Sequence, residues 1–169
     1  WAEEYDAEFA DALKANPGYA KEILAIGRGG KKPRKDIAVW SGVKDYMGIF
    51  YDKYFVPAQS LPENISAEDA VAVLEKYPEI YDENDEQDIW FNKIKELASS
   101  LGYAADMKEY KKNPENFKGS VADIAMILRI AVTGKTVSPD TYAVMKILGA
   151  KKVDERIKAA CKSISEGGK

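Results

Sequence analysis

The sequence contains no histidine and only one cysteine, Cys161, among its 169 residues. Without histidine the common zinc sites lack their usual ligands, and neither a Ser-His-Asp nor a Cys-His nucleophilic system can be assembled. A single cysteine cannot form an internal disulfide. Acid–base catalysis would depend on carboxylate, lysine or tyrosine side chains. We therefore expect no bound metal or cofactor in this chain, and an enzymatic function is disfavoured.

Long apolar runs are also absent, because no stretch approaches the roughly 20 residues that a membrane-spanning helix requires. No basic start followed by an apolar segment suggests a signal peptide. We therefore expect a cytoplasmic protein without membrane contact. Its 46% apolar content, including 3 Trp, 10 Tyr and 5 Phe, is enough to build a core. The chain opens with Trp1 rather than Met, which we interpret as the start of a fragment.

Helical periodicity dominates the chain, and no segment alternates apolar and polar residues for long enough to indicate a strand. The sequence therefore predicts an all-α fold. Caps and glycines mark the helix ends: Asn16 precedes a first-turn proline, Ser66 opens a capping-box pattern, and Ser138-Pro139 would cap another helix. The predicted helices cover residues 17–26, 36–54, 66–74, 85–101, 120–132, 139–148 and 151–163, and the last residues, 167–169, are expected to fray.

Two prolines, Pro57 and Pro62, interrupt this pattern, and we place a domain boundary there. Residues 1–56 would form one small helical bundle and residues 57–169 a second. Charge follows a related division, since the net charge is 0 over residues 1–56, −9 over 57–92 and +6 over 93–169. Such asymmetry is typical of a molecule that turns one face to a polyanion, because phosphate binding depends on local charge.

A basic loop occupies residues 28–35, with Arg28, Lys31, Lys32, Arg34 and Lys35 beside two glycines, Gly29 and Gly30. Glycine allows close approach of a backbone, and clustered cations favour contact with phosphates. The alternative is an ordinary solvated surface loop, since short runs of charge are common on protein surfaces. Spacing alone does not separate the two interpretations.

A second candidate site lies in residues 128–139, where one predicted helix ends and the next begins. Free N–H groups near Ser138 would receive an anionic or carbonyl oxygen, with Lys135 in the loop and Arg129 reaching outward. The alternative is an ordinary hairpin of two helices with a serine cap.

Aromatic residues are concentrated in residues 40–55, where side chains could stack on RNA bases. At helical spacing, core packing is the favoured role, and Trp40, Val43, Met47, Phe50 and Tyr54 would line the packed face. Tyr46 and Tyr51 are the better candidates for exposure, because each can present a hydroxyl to solvent.

The segment from residue 128 to residue 149, LRIAVTGKTVSPDTYAVMKILG, resembles the C-terminal part of bacterial-type glutamyl-tRNA synthetases. The likeness continues in Trp90-Phe91, in Gly102-Tyr103, in the helix from Val153 to Ala160, and upstream in PRKDIAVW, residues 33–40. It covers nearly the whole chain and weakens across the acidic stretch. The resemblance implies two helical anticodon-binding domains, in residues 1–56 and 57–169.

The resemblance also implies which residues read the anticodon loop. It suggests contacts with the anticodon stem-loop of tRNA(Glu) around Arg129, Ser138, Pro139 and Thr141. Many relatives have threonine where Ser138 stands. Arg34 falls close to a position where an arginine in some relatives helps to distinguish the glutamate anticodon from the glutamine one. With the phosphate contacts expected of Lys31, Lys32 and Lys135, these residues form the predicted tRNA-binding set.

The nucleotide-binding signatures of such synthetases, of the His-Ile-Gly-His and Lys-Met-Ser-Lys-Ser types, do not occur in the sequence. The resemblance therefore implies a non-catalytic portion. Its partners would be the tRNA and the catalytic domain of its own enzyme, which would couple glutamate to tRNA with ATP and magnesium.

Two alternatives remain at this point. A helical protein-interaction domain would use the acidic stretch Glu79 to Asp88 to bind a basic partner, and its binding would be sensitive to salt. A free-standing enzyme would need a carboxylate pair such as Asp82 with Asp85. The enzyme hypothesis is the weaker one, because no spacing places that pair beside a nucleophile or a cofactor loop.

Overall fold

The all-α prediction is confirmed by a computed structural model, which describes residues 1–167; Gly168 and Lys169, and with them most of the end predicted to fray, lie outside the described residues. No strand occurs within that range, and the only ladder-like contact is an isolated bridge between Ala104 and Ser120. Short 3₁₀ turns occupy Gly48–Phe50 and Pro114–Asn116. The helices are α1 (Ala2–Tyr5), α2 (Ala7–Ala15), α3 (Pro17–Ala25), α4 (Gly42–Met47), α5 (Ala67–Ile80), α6 (Gln87–Ser100), α7 (Met107–Lys112), α8 (Val121–Thr133), α9 (Thr141–Leu148) and α10 (Ala150–Gly167).

Several helix ends follow directly from local sequence. The side chain of Asn16 accepts a hydrogen bond from the backbone of Tyr19 at 3.0 Å, which caps α3 as predicted. Ser66 caps α5 in the same way through the backbone N–H of Asp69 at 3.1 Å. The complete reciprocal capping box forms elsewhere, at Ser120 and Asp123, where α8 begins.

The prediction of one long helix over residues 36–54 is wrong. Helix α4 has only six residues and continues into a single 3₁₀ turn, while residues 31–39 are not helical. The backbone N–H of Arg34 instead bonds the carbonyl of Gly27, so the chain folds back on the end of α3. The apolar positions at helical spacing divide accordingly, because Met47 and Phe50 are buried whereas Trp40 is 74% exposed.

The predicted cap at Ser138-Pro139 is also wrong. Helix α9 begins at Thr141, and its N-cap is Asp140, whose Oδ1 accepts from the backbone N–H of Ala143 at 2.9 Å. Asp140 is as good a cap as serine, and its carboxylate also complements the positive end of the helix dipole.

The apolar side chains form two cores. Helices α5, α6, α8 and α10 enclose the larger one around Leu74, Ile94, Leu128 and Ile157. The smaller core is built from α2, α3, α4 and the first 3₁₀ turn. Helix α9 serves both, since Val144 enters the smaller core and Met145 the larger. The domain boundary at residue 57 stays a prediction.

A buried arginine, Arg156 in α10, joins the two parts of the molecule. Its Nη1 donates to the carbonyl of Ile49 at 2.8 Å and to that of Val132 at 2.6 Å. Its guanidinium carbon lies 3.7 Å from the centre of the Phe55 ring. Burying a charged group is costly unless it is hydrogen-bonded, and here two carbonyls and an aromatic face compensate.

Among the described helices none is long and apolar enough to cross a membrane.

Candidate nucleic-acid interface

Arg129 lies in the last turns of α8 and is held from the start of α9. Its Nε donates a hydrogen bond to Oγ1 of Thr141 at 3.2 Å, and its Nη1 approaches the carbonyl of Thr136 at 3.5 Å. Thr141 is itself only 5% exposed, so the acceptor is fixed by packing. The junction of the two helices therefore brings together two of the predicted tRNA-binding residues, and it positions the guanidinium at the surface.

The loop between these helices is tight. Gly134 ends α8 in the left-handed conformation, with φ 70°. The hydroxyl of Thr133 donates to the carbonyl of Arg129 at 2.7 Å and accepts from the backbone N–H of Lys135 at 3.2 Å. The ammonium of Lys135 then pairs with the carboxylate of Asp45 and bonds its carbonyl at 2.9 Å. A predicted phosphate contact is thus engaged with α4.

Ser138 and Pro139 shape this loop from within. The hydroxyl of Ser138 donates to the carbonyl of Pro139 at 2.8 Å, and Pro139 is buried. The N–H groups at the start of α9 lie beyond both residues and face the carboxylate of Asp140. The expected anion site near Ser138 is therefore unfavourable, because a carboxylate already occupies the helix N terminus.

A cleft of about 670 Å³ opens beside Arg129. Arg129 is the one cation among its lining residues, and Phe91 offers an aromatic ring that is 37% exposed. Carboxylates and one cation around an aromatic ring suit the edge and face of a nucleobase better than a phosphate. The lining residues are Glu86, Gln87, Asp88, Trp90, Phe91, Ala125, Arg129, Asp140 and Thr141.

Trp90, which lines this cleft, is anchored by buried hydrogen-bond and aromatic contacts. The indole N–H of Trp90 donates to the hydroxyl of Tyr77 at 2.9 Å, and that hydroxyl lies 3.2 Å from the sulfur of Met145. Burial raises the pKa of Tyr77 well above its ordinary value. The ring of Trp90 lies 5.7 Å from that of Tyr142, whose hydroxyl donates to the carbonyl of Asp85 at 2.9 Å. The cleft therefore does not depend on a mobile loop for its base.

Arg34 is oriented by an aspartate two residues along the chain. Its Nε and Nη2 each approach an oxygen of Asp36 at 2.8 Å. These hydrogen bonds are the main reason why the pKa of Arg34 is raised, and the carboxylate of Asp140 contributes further. Gly27 makes room for Arg34, since a Cβ there would lie 2.5 Å from Arg34 Cδ. The orientation of the Arg34 guanidinium is therefore set by Asp36.

Lys31 and Lys32 project into solvent. Within residues 1–167 neither side chain forms an ion pair or a hydrogen bond, and the neighbouring Gly29 and Gly30 face open space. Arg28 differs, because its guanidinium bonds the carbonyl of Leu24 and lies 5.5 Å from the centre of the Tyr46 ring. The basic loop thus contains exposed lysines beside arginines that are held in place.

The aromatic residues exposed to solvent are not the ones that the sequence indicated. Tyr46 is buried and Tyr51 half-buried, so the expectation that these two would be exposed is wrong. Trp40, expected on the packed face, is 74% exposed, and Phe91 lines the cleft. Ser41-Gly42, directly after Trp40, is the signal that a helix does not continue through this point.

The carboxylates of residues 82–88 are partly engaged within the protein. Asp82 accepts from the backbone N–H of Asn84 at 2.9 Å, and Asp85 pairs with Lys93 at 2.6 Å. Asp82 and Asp85, considered above as a catalytic carboxylate pair, are therefore each bound to a different residue. Across residues 1–167, no group of three or more acidic or cysteine side chains is arranged to hold a metal ion.

Comparisons with known proteins agree with the resemblance seen in the sequence. The model of the family described as "Anticodon binding domain" matches residues 34–161. The chain is 41% identical over 157 residues to a glutamate–tRNA ligase of Acetivibrio thermocellus, which covers 93% of the chain and 29% of that protein. The ligase of Clostridium perfringens is 41% identical over 161 residues, covering 93% of the chain and 30% of that protein. The ligase of Sorangium cellulosum is 40% identical over 159 residues, covering 93% and 28%. The chain thus spans less than a third of the length of these relatives, and no solved structure matches it.

Proposed function

The chain belongs to the family of anticodon binding domains, and on that premise we propose that it binds the anticodon stem-loop of tRNA(Glu) as part of a glutamate–tRNA ligase. The observation that carries the proposal is the guanidinium of Arg129, held by Thr141 at the edge of a cleft that also presents Phe91. A fixed donor beside an aromatic ring is what the recognition of an unpaired base requires.

The Arg129 cleft and the basic loop would have different roles in binding RNA. The Arg129 cleft would read bases, because its carboxylates repel phosphates and accept hydrogen bonds from base amino groups. Lys31 and Lys32, which are exposed and make no internal contacts within the described part of the chain, would contact phosphates. Arg34, oriented by Asp36, would contribute to distinguishing the glutamate anticodon from the glutamine one.

The chemistry of aminoacylation would take place outside this chain. A catalytic domain using ATP and magnesium would couple glutamate to the tRNA in the cytoplasm. This chain would supply tRNA positioning and specificity, since binding energy from remote contacts lowers the barrier when it orients the reacting groups. We therefore assign no catalytic residue here.

An acidic docking face for a basic protein is the alternative, and the contacts of residues 79–88 make it less favourable. Lys146 bonds the carbonyl of Glu83 at 2.6 Å, and the carboxylate of Glu83 accepts from the backbone N–H of Ala150 at 3.1 Å. With Asp85 paired to Lys93, part of the acidic charge is already compensated internally.

Fluorescence anisotropy would test the proposal. A labelled tRNA(Glu) anticodon stem-loop and the same hairpin with a scrambled anticodon would be titrated with the chain across a salt series. We expect a preference for the cognate loop that persists at moderate salt, because base contacts are less sensitive to salt than phosphate contacts. Equal, weak binding that salt abolishes would overturn anticodon reading. Salt-sensitive binding to a basic protein with none to RNA would support the acidic docking face.

A further inference from the structure

Trp40 is the most exposed of the tryptophans, with 74% of its surface accessible, and it lies five residues after the end of the basic loop. It lies just before the short helix α4, in the segment that follows the fold-back of Arg34 onto Gly27. The adjacent Val39 is also 62% exposed. A large aromatic ring held at the surface next to charged residues is a recurrent feature of binding sites, since its exposure is unfavourable in isolation.

Trp40 lines a cleft of about 490 Å³ that shares no lining residue with the one at Arg129. Its lining is apolar except for Arg28, whose guanidinium is held by the carbonyl of Leu24. Trp40, Ile37, Val43 and Met47 are among its lining residues. The cleft thus combines an exposed indole, an apolar wall and one fixed cation.

Charge decides between the possible occupants of this cleft. The basic loop places Lys31, Lys32 and Lys35 within nine residues of Trp40, and all three are exposed. Asp36, the one acidic residue among residues 28–41, is occupied by Arg34. An apolar protein segment would gain nothing from these lysines, whereas a polyanion carrying flat apolar bases would use both features.

We infer that Trp40 is a stacking platform for one unpaired nucleotide, whose neighbouring phosphates lie along the basic loop. Stacking on an aromatic side chain requires an unpaired base and tolerates any base identity, because every base presents a π-face. This contact is distinct from the base reading at Arg129 and adds affinity rather than specificity. The inference rests on the proposed binding of RNA.

An abasic scan of the stem-loop tests the inference. Each unpaired nucleotide would be replaced in turn by an abasic residue, and binding to the wild-type chain would be compared with binding to Trp40→Ala, Trp40→Phe and Val39→Ala. We expect Trp40→Ala to weaken binding roughly 5- to 150-fold, the usual range for one stacked base. At one unpaired position, the abasic replacement should lower the affinity of the wild-type chain by a similar factor. The same replacement should leave the affinity of the Trp40→Ala variant almost unchanged.

The other variants serve as controls. Trp40→Phe should retain most of the affinity, because it keeps a π-face. Val39→Ala should have little effect, since it removes a comparably exposed apolar side chain without a ring. The inference is wrong if Trp40→Ala binds the hairpin as tightly as the wild type does. It is also wrong if Trp40→Ala lowers the affinity by the same factor whichever nucleotide is abasic. The preference for the cognate anticodon would survive that outcome, so the proposed function fails only if discrimination itself is absent.

Discussion

The Nε of Arg129 donates a hydrogen bond to Oγ1 of Thr141 at 3.2 Å, which ties the last turns of α8 to the first residue of α9. The relationship matters because an arginine side chain is flexible, and a base-reading contact needs it to be held in one orientation. Thr141 is buried and Arg129 lines the cleft, so under the proposed function the threonine would act as a positioning residue.

Replacing Thr141 tests this role. Thr141→Val removes the acceptor with little change of shape, and we expect the preference for a cognate over a scrambled anticodon loop to fall by about tenfold, near the 1–3 kcal/mol of a good base contact. Thr141→Ser keeps the hydroxyl and should retain the preference. Anisotropy titrations of both variants against both hairpins would measure this. Equal loss on the two hairpins would show that Thr141 contributes only to stability.

The two exposed lysines of the basic loop lead to a different prediction. Lys31→Ala with Lys32→Ala should weaken binding to cognate and scrambled hairpins alike, because phosphates carry no sequence information. The slope of log K against log salt should flatten by roughly 0.7 for each phosphate that the variant no longer neutralises. The matched control is Lys111→Ala with Lys112→Ala, an equally exposed pair on α7. If the control pair has the same effect, the binding reflects total charge and not the loop.

Local sequence was sufficient for the helices whose signals lie within one turn. Asn16 and Ser66 cap their helices as the sequence predicts, and Gly134 ends α8. Helical spacing failed over residues 36–54, because Trp40 and Phe50 satisfy the period although only Phe50 is buried. Periodicity reports which residues could share a face, but it does not show that the intervening backbone is helical, and here residues 36–39 are not.

The residues around the Arg129 cleft differ in how far the sequence could bring them together. The resemblance to glutamyl-tRNA synthetases grouped Arg129 with Thr141, and the structure places their side chains within hydrogen-bond distance. The remainder of the cleft comes from α6, and no local pattern places Phe91 or Asp88 beside Arg129. The pairing of Lys135 with Asp45 joins residues 90 positions apart, and long-range contacts of this kind are not encoded in spacing.

Both the backbone conformation and the close packing at position 134 require glycine. Its φ is 70°, and a Cβ there would lie 2.0 Å from the carbonyl oxygen of Val56, which is backbone and cannot rotate away. Gly134→Ala should therefore lower the free energy of unfolding by about 2–4 kcal/mol. The control is Gly102→Ala, since Gly102 also has a positive φ of 82° but its Cβ would meet only the flexible chain of Lys118 at 3.9 Å. We expect about 1 kcal/mol there, measured by urea unfolding. Similar losses for both would exclude the clash with Val56.

The ion pairs of Asp52 predict how stability changes with pH. Lys152 contacts both oxygens of Asp52 at 2.7 Å, and Nη2 of Arg156 lies 3.6 Å from one of them. The hydrogen bond from Lys152 is the main reason why the pKa of Asp52 is below its ordinary value of 3.8, and Arg156 contributes to the lowering. A carboxylate with a lowered pKa stabilises the folded state above its unfolded pKa, and that contribution is lost as pH falls through the folded pKa.

Asp52→Asn should therefore destabilise the protein at neutral pH and become neutral in acid. Asp52 is largely exposed, so the difference in free energy of unfolding should be only about 0.5 kcal/mol above pH 5. It should shrink below about pH 4, because protonation of the wild-type carboxylate then removes the same charge. Lys152→Met is the reference background, in which the effect of Asp52→Asn should be smaller at neutral pH. A difference that stays constant down to pH 2 would mean that Asp52 acts through packing, since protonation would not change its contribution.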